Sequence, residues 1–190
     1  MTRPLDYQTI FEIFRRFQAV SPHPEGELHH VNAFTLLVAV ALSAQATDAS
    51  VNRATHDLFQ TVDTPEKMLA LGEDALAELI RDCGLYRIKA KNLIAACEML
   101  LKDYGGEVPE RFEELVRLPG VGRKSANVLL SQLFGVPAIA VDTHVFRVAN
   151  RLGLARGKTP AAVEEGLARI VPRRDWGSAH HWLIWHGRLV

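Results

Sequence analysis

Residues Leu118–Ala126, LPGVGRKSA, separate two segments whose apolar side chains recur at helical spacing. Pro119 cannot donate a hydrogen bond to a continuing helix, and Gly120 and Gly122 allow backbone angles that other residues resist. The stretch therefore predicts a tight hairpin between two helices. Because the glycines carry no side chain, their N–H groups can approach an anion, and the N-terminus of the next helix adds partial positive charge. We expect this hairpin to hold phosphate groups, which carry no base information.

The distribution of charge supports a surface that faces nucleic acid, although the net charge does not. The 190 residues are 48% apolar and 23% charged, with a formal net charge of zero, which is ordinary for a globular protein. From Arg117 to Lys158 there are seven basic residues and one acid, whereas Asp57 to Asp82 holds seven acids and two bases. A charge run alone is most often a solvated face. The adjoining hairpin favours a surface that faces DNA.

Cysteine use and apolar runs indicate a reduced protein outside the membrane. Cys83 and Cys97 are the two cysteines, which are too few for a disulfide framework, so we expect reduced thiols in helical core. The N-terminus lacks the apolar stretch of a signal peptide. The longest apolar run, residues 33–46, is too short to span a membrane and is typical of a buried helix. We therefore expect a cytoplasmic protein.

No segment alternates apolar and polar residues over the length of a strand, so the sequence predicts an all-α protein of about ten helices. Thr64 before Pro65 and Thr159 before Pro160 are typical helix starts. A helix is also expected from about residue 48 to Phe59.

Five blocks, in order along the chain, carry a resemblance that covers nearly all of it. They are Leu42–Asp48 (LSAQATD), Gly84–Tyr86 (GLY), Leu118–Asn127, Ala140–Val148 (AVDTHVFRV), and His180–Ile184 with His186–Arg188. With the hairpin, they resemble the helix-hairpin-helix DNA glycosylases, and within them the endonuclease III branch. The resemblance implies two helical lobes with a cleft between them. Residues 25–135 would form a barrel-like lobe with the hairpin motif at about 112–134. Residues 1–24 and 136–190 would form the other lobe.

Lys124 is the candidate nucleophile. The helix N-terminus, the neighbouring Arg123 and an expected burial of the side chain all favour a free amine over an ammonium group. Taken alone, one lysine in such a turn is more often a solvated phosphate contact. The resemblance reverses this preference, because Lys124 matches the family's catalytic lysine.

Asp142 is the candidate partner of Lys124. It follows an apolar run and precedes a helical segment, which predicts an N-cap. A cap keeps a carboxylate ionised and oriented, as the stabilisation of a developing cationic sugar requires. The resemblance places Asp142 on the family's catalytic aspartate, and the two roles are compatible.

Other site residues follow mainly from the resemblance. Gln45 matches the residue that fills the gap left by a flipped base, and Leu85 matches an apolar wedge on the opposite strand. Without the resemblance, they would be a polar residue at a helix end and an ordinary core leucine. Ser43 and Asp48 are candidates for the lesion pocket. The remaining candidate DNA contacts are Gly120, Val121, Gly122, Arg123, His144 and Arg147.

The resemblance implies a bifunctional DNA glycosylase and AP lyase that removes oxidised pyrimidines in base excision repair. Its partner would be double-stranded DNA with damaged bases or abasic sites, bound by a monomer at a bacterial nucleoid. One alternative is a non-catalytic helix-hairpin-helix module, which would have no need of Lys124 and Asp142 together. Another is a relative specific for mismatches or abasic sites. The mismatch branch usually lacks the lysine, so Lys124 argues against it.

The family's four-cysteine segment is the point at which this sequence departs from the pattern. That segment holds a [4Fe–4S] cluster and would begin where these 190 residues end. Cys83 and Cys97 match none of its four ligand positions. Because such a cluster needs four thiolates, we expect no metal site within these residues.

Overall fold

A computed structural model describes residues 5–22 and 26–189 of the chain. All regular secondary structure in these ranges is helical, as the sequence predicts. A short 3-10 helix, Arg173–Asp175, precedes the last α-helix. The α-helices are α1 (Tyr7–Val20), α2 (Ala33–Leu42), α3 (Asp48–His56), α4 (Leu58–Thr61), α5 (Pro65–Leu71), α6 (Glu73–Leu79), α7 (Tyr86–Tyr104), α8 (Phe112–Leu115), α9 (Arg123–Phe134), α10 (Thr143–Leu152), α11 (Pro160–Ile170) and α12 (Trp176–Leu189).

The chain divides into two compact units, one of which is Glu27–Phe134. Helix α2 is the centre of this unit, because nearly all of its residues are buried. Leu36, Leu37 and Leu42 are each at most 1% exposed. Removing one such side chain from water contributes about 2 kcal/mol to stability. Helices α3, α7 and α9 pack against α2, while α5 and α6 pack against α7.

Side-chain caps set several helix starts in this unit. Asn32 and Thr35 form a reciprocal capping box at the start of α2. The hydroxyls of Thr47 and Thr64 accept from backbone N–H groups at the starts of α3 and α5. The expected single helix to Phe59 is wrong, because the chain breaks at Asp57 between α3 and α4.

The second unit comprises Met1–Gly26 with Gly135–Val190. Its core joins Ile10 of α1 to apolar residues of α10, α11 and α12. The indole N–H of Trp182 donates to the Ser21 carbonyl over 2.7 Å, which ties α12 to the end of α1. At Gly187, α12 passes so close to α10 that a Cβ would lie 3.0 Å from the Cβ of His144.

Within residues 5–22 and 26–189, no helix is both long enough and apolar enough to cross a membrane.

Candidate active site and nucleic-acid interface

Helices α8 and α9 flank the expected hairpin, and two buried apolar side chains hold it in place. Leu118 and Val121 are 1% and 6% exposed, and the Val121 N–H donates to the Leu118 carbonyl over 3.0 Å. Gly120 adopts a left-handed φ of +83°, as a tight turn requires. Gly122 does not, so of the two glycines Gly120 alone uses this conformational freedom. The Gly122 carbonyl instead accepts from the Ala126 N–H in the first helical hydrogen bond of α9.

Two cationic side chains open α9. The Arg123 guanidinium lies 5.2 Å from the ring centroid of Phe112, a cation–π contact between the two helices of the hairpin. Lys124 is exposed, so its expected burial is wrong. The physical reason is its place on the first turn of α9, directly after the exposed Gly122 and Arg123.

Gln45 and Leu85 share an unusual backbone state. Among the residues that the structure describes, they are the two non-glycine residues with positive φ, at +55° and +59°. Left-handed geometry costs a residue with a side chain about 1–2 kcal/mol. Leu85 is 55% exposed, so it is not the core leucine that its residue type alone suggested. Strain kept at exposed residues favours a functional site.

A cavity of about 150 Å³ brings Gln45, Leu85 and Gly120 together, although they are far apart in sequence. The two left-handed residues belong to segments in direct contact, because a Cβ on Gly84 would lie 3.4 Å from the Gln45 carbonyl oxygen. A Cβ on Gly120 would lie 3.3 Å from the Cβ of Asn92 on α7. The lining residues are Ala41, Ala44, Gln45, Leu85, Ile88, Lys89, Asn92, Leu93, Pro119 and Gly120.

Among the lining residues that the sequence did not single out are the exposed Ile88 and the polar Lys89 and Asn92. Ile88 is 59% exposed and lies one helical turn after Leu85. Lys89 is 8% exposed, and its Nζ donates to the Leu42 carbonyl over 2.8 Å. Burial lowers the pKa of Lys89, while nearby Cys83 partly opposes this shift. In the sequence, the position of Lys89 one turn after Leu85 was the feature that could have indicated a role. Its hydrogen-bond partner at the end of α2 is visible only in the folded structure.

Ser43 and Asp48 flank the turn that carries Gln45. Ser43 caps the end of α2, and its hydroxyl donates to the Val40 carbonyl over 2.9 Å. Asp48 is the first residue of α3, where a carboxylate is favoured by the helix dipole. Both side chains are half-buried, and neither lines the cavity of Gln45 and Leu85.

Asp142 caps α10 in the second unit, as the sequence predicts. Its carboxylate accepts from the Val145 N–H over 2.8 Å, and the side chain is half-buried. The cap gives the carboxylate a set direction at a helix N-terminus, where negative charge is stabilised. Asp142 therefore has the geometry of an oriented anion.

His144 and Arg147 lie on the first turns of α10 and contact the end of α12. The Arg147 guanidinium donates to the Gly187 carbonyl over 2.5 Å, and the same nitrogen lies 3.3 Å from Nδ1 of His144. Arg147 therefore joins α10 to α12. A phosphate contact would have to use other N–H groups of the same guanidinium.

The cysteines do not provide a cluster site. Cys83 and Cys97 are buried free thiols. Burial raises the pKa of both, that of Cys97 to about 12, so the protonated form is favoured over a metal-binding thiolate. A [4Fe–4S] cluster needs four thiolates and these 190 residues contain two, so they do not fit that cofactor. Across the described ranges, no three His, Cys, Asp or Glu side chains gather as candidate metal ligands.

Comparison with known proteins defines the class. A family model for HhH-GPD superfamily base excision DNA repair proteins matches residues 38–173. The endonuclease III of Rickettsia conorii is 56% identical over 183 residues, which cover 96% of this chain and 87% of that protein. The endonuclease III of Escherichia coli K12 is 51% identical over 179 residues, covering 94% and 85%.

Solved structures agree with the sequence comparison. The fold matches that of a trapped covalent intermediate of an endonuclease III with DNA, with a TM-score of 0.93 and 47% identity. The match covers 97% of this chain and 87% of the other. The chain belongs to the HhH-GPD superfamily of base excision DNA repair proteins. Within that superfamily, its resemblance to the endonuclease III branch is confirmed.

Proposed function

We propose that the chain is a base excision repair DNA glycosylase and AP lyase that acts on oxidised pyrimidines, with Lys124 as its nucleophile and Asp142 as the assisting carboxylate. The observation that carries this proposal is the placement of an exposed lysine on the first turn of α9, directly after a glycine hairpin. A group that holds the DNA backbone and a group that can attack a sugar carbon are thereby adjacent in the chain. The close relationship to endonuclease III proteins supports the same activity.

The reaction requires a nucleotide outside the base stack, because its C1′ atom is shielded inside the duplex. The free amine of Lys124 attacks C1′, and the bond between C1′ and the base breaks. The electron pair of that bond leaves with the base, which takes up a proton. The bond between C1′ and the ring oxygen then breaks, and the ring oxygen takes the remaining proton of the Lys124 nitrogen. This step opens the sugar and leaves a Schiff base between Lys124 and C1′.

Strand cleavage follows from the Schiff base. Loss of a proton from C2′ expels the 3′ phosphate with the electron pair of its bond to C3′, which completes a β-elimination. Hydrolysis then returns the Lys124 amine. The Asp142 carboxylate stabilises positive charge on the sugar and assists the attack of the Lys124 amine as a proton acceptor. At an abasic site the same amine forms the Schiff base from the open aldehyde, with loss of water.

The DNA-facing roles divide between the hairpin and the cavity. The N–H groups of Gly120 and Gly122 and the Arg123 cation hold the phosphate backbone. Val121, whose N–H donates to the Leu118 carbonyl, fixes the turn that presents them. Gln45 fills the gap left by the flipped nucleotide, and Leu85 wedges against the opposite strand. The exposed, left-handed state of both residues supports these roles. Ser43 and Asp48 line the lesion pocket, and His144 and Arg147 meet phosphate.

The partner is duplex DNA with damaged bases or abasic sites, bound by one copy of the chain. The similarity to endonuclease III–DNA complexes supports DNA as the partner. The bacterial relatives favour the nucleoid as the place of action. A titration of an abasic-analogue duplex should saturate at one protein per site.

Borohydride trapping tests the nucleophile, because borohydride reduces a Schiff base to a stable adduct. Duplexes would carry dihydrouracil, thymine glycol or an abasic site. We expect the wild type and Lys91→Ala to give the adduct, since Lys91 is an exposed lysine on α7 that tests for general loss of charge. Lys124→Ala should bind DNA but give neither adduct nor cleavage. Asp142→Asn should slow base removal by at least about 100-fold.

An adduct or strand cleavage with Lys124→Ala would refute the assignment of the nucleophile. Cleavage of undamaged and damaged duplexes at the same rate would refute the proposed substrate class.

A further inference from the structure

Lys89 is a buried lysine whose side chain bonds to Leu42, three residues before Gln45, and whose backbone makes the ordinary first-turn helical bond of α7 to Leu85. Its ammonium nitrogen donates to the Leu42 carbonyl over 2.8 Å, and its backbone N–H donates to the Leu85 carbonyl over 3.0 Å. Lysine is almost never fully buried unless it is paired, because removing its charge from water is costly. At 8% exposure, this side chain has little room to reach DNA itself.

The acceptor of the ammonium group is the last residue of α2. Carbonyls at a helix C-terminus lack partners in their own helix, and the helix dipole favours a cation there. Leu42 also precedes Gln45 by three residues, within the same turn. The Lys89 side chain therefore holds the base of the turn that presents Gln45.

The acceptor of the backbone N–H is Leu85 itself, the residue before α7 begins. Leu85 has no side-chain cap, and Gly84 packs against the Gln45 carbonyl oxygen. One residue thus connects the turn of Gln45 and the corner of Leu85, which also touch each other. Two strained backbone positions persist only where the surrounding structure holds them firmly.

We infer that Lys89 is a positioning residue for damage recognition, which holds Gln45 and Leu85 in the relative placement that an opened base pair requires. The inference rests on the proposed roles of Gln45 and Leu85. Lys89 would act entirely through these two residues, without contact with DNA. A lysine that merely stabilises the core would lower binding to all duplexes alike.

A double-mutant cycle separates these two roles. Lys89→Met, Gln45→Ala and the double variant would be compared in their affinity for a duplex with a tetrahydrofuran abasic analogue and for the same undamaged duplex. Selectivity is the ratio of these two affinities. We expect Lys89→Met to lower selectivity about tenfold, and the double variant to be no worse than Gln45→Ala alone, because both changes disable one element.

Matched variants complete the experiment. Lys91→Met removes an exposed lysine two residues away and should leave selectivity unchanged. Lys89→Arg keeps the charge and the donor and should recover most of the loss. Trapping at an abasic site reports whether the chemistry of Lys124 is intact in each variant. If Lys89→Met shows no melting transition and is therefore unfolded, Lys89→Gln replaces it in the double-mutant cycle with Gln45→Ala.

Three results are decisive against the inference. If the effects of Lys89→Met and Gln45→Ala are additive, Lys89 does not act through Gln45. An equal loss of affinity for both duplexes would mean a general structural role. A Gln45→Ala variant with wild-type selectivity would overturn the role of Gln45 as well. The proposed enzymatic activity would stand in all three cases as long as Lys124 still forms the trapped adduct.

Discussion

The hairpin and the Gln45–Leu85 cavity solve the same backbone problem in opposite ways. At the hairpin, the left-handed position is Gly120, where positive φ costs little. At the cavity, the left-handed positions are Gln45 and Leu85, whose side chains make the same geometry costly. Glycine is sufficient at a left-handed position where only the backbone N–H groups are needed for binding. A side chain kept at a strained position indicates that the side chain itself is needed.

Of the substitutions considered, Gly120→Ala should cause the greatest loss of stability and DNA affinity, because it places a side chain at the left-handed position of the hairpin. Alanine at φ +83° is strained, and its Cβ would approach Asn92 to 3.3 Å. We expect a loss of stability of about 2 kcal/mol and a loss of DNA affinity of at least about tenfold, because the hairpin that we propose to hold phosphate would shift. Urea unfolding and a binding titration with duplex DNA measure the two effects.

Gly122→Ala is the matched control for that variant. Gly122 has ordinary φ, and no atom lies within 4 Å of the added Cβ. Its stability should stay within about 0.5 kcal/mol of the wild type, while the added methyl group should obstruct the proposed phosphate contact and weaken DNA binding. Equal destabilisation by both substitutions would contradict the distinction drawn between the glycines.

At the cavity, Gln45→Gly should make the protein more stable and less selective for the abasic duplex over the undamaged one. Glycine removes the left-handed strain, which should raise stability by about 1 kcal/mol. It also removes the side chain that we propose to fill the gap in the duplex. Chemical denaturation and the selectivity for abasic over undamaged duplex would be measured together, with Leu85→Gly as a second case.

Gln45→Ala serves as the control, because alanine keeps the strain but lacks the amide. It should lose as much selectivity as Gln45→Gly without the gain in stability. If Gln45→Gly and Gln45→Ala are equally stable, the positive φ at this position stores no appreciable strain.

The pH dependence of stability should show the smallest effect and concerns Lys89. Burial holds the pKa of Lys89 below its ordinary value of 10.5. Between the lowered pKa and 10.5, the unfolded chain binds more protons at this residue than the folded chain does. Stability from this group therefore rises with pH in that window, by less than about 1.4 kcal/mol per pH unit.

Unfolding of the wild type and of Lys89→Met between about pH 8 and pH 10 would isolate this contribution. The raised pKa of the thiols of Cys83 and Cys97 acts in the opposite direction. Loss of the Lys89 charge raises the pKa of Cys83 further, so the variant loses more stability with rising pH and the expected sign of the difference is unchanged. A wild-type curve that falls relative to that of Lys89→Met over this range would contradict the expected sign.

Local signals in the sequence were sufficient for much of the fold. Caps at Thr64, Asp142 and Thr159 are short-range features, and each is found where a polar residue precedes an apolar helical face. The hairpin is equally local, since Pro119 and Gly120 carry its turn. The break at Asp57 was not predictable, because helical spacing continues through α3 and α4.

The placement of the site residues depends on contacts that are distant in sequence. Positive φ at Gln45 and Leu85 arises where their two segments meet, and neither residue type signals it. The burial of Lys89 depends on a carbonyl 47 positions away. The expected burial of Lys124 is wrong, because α9 begins directly after an exposed stretch of the hairpin. Resemblance identified most candidate residues, whereas the fold shows which of them share a cavity.

Because α12 passes close to α10, the direction of the Asp142 carboxylate depends on Gly187, which has no side chain to contact DNA. A methyl group at Gly187 would meet His144 and Val148 at 3.0–3.1 Å, so α10 would have to tilt or move away. The Asp142 carboxylate is directed by the first backbone N–H groups of α10 and would turn with them. A substitution at Gly187 would therefore impair the proposed assistance by Asp142 while leaving the Asp142 and Lys124 side chains themselves unchanged.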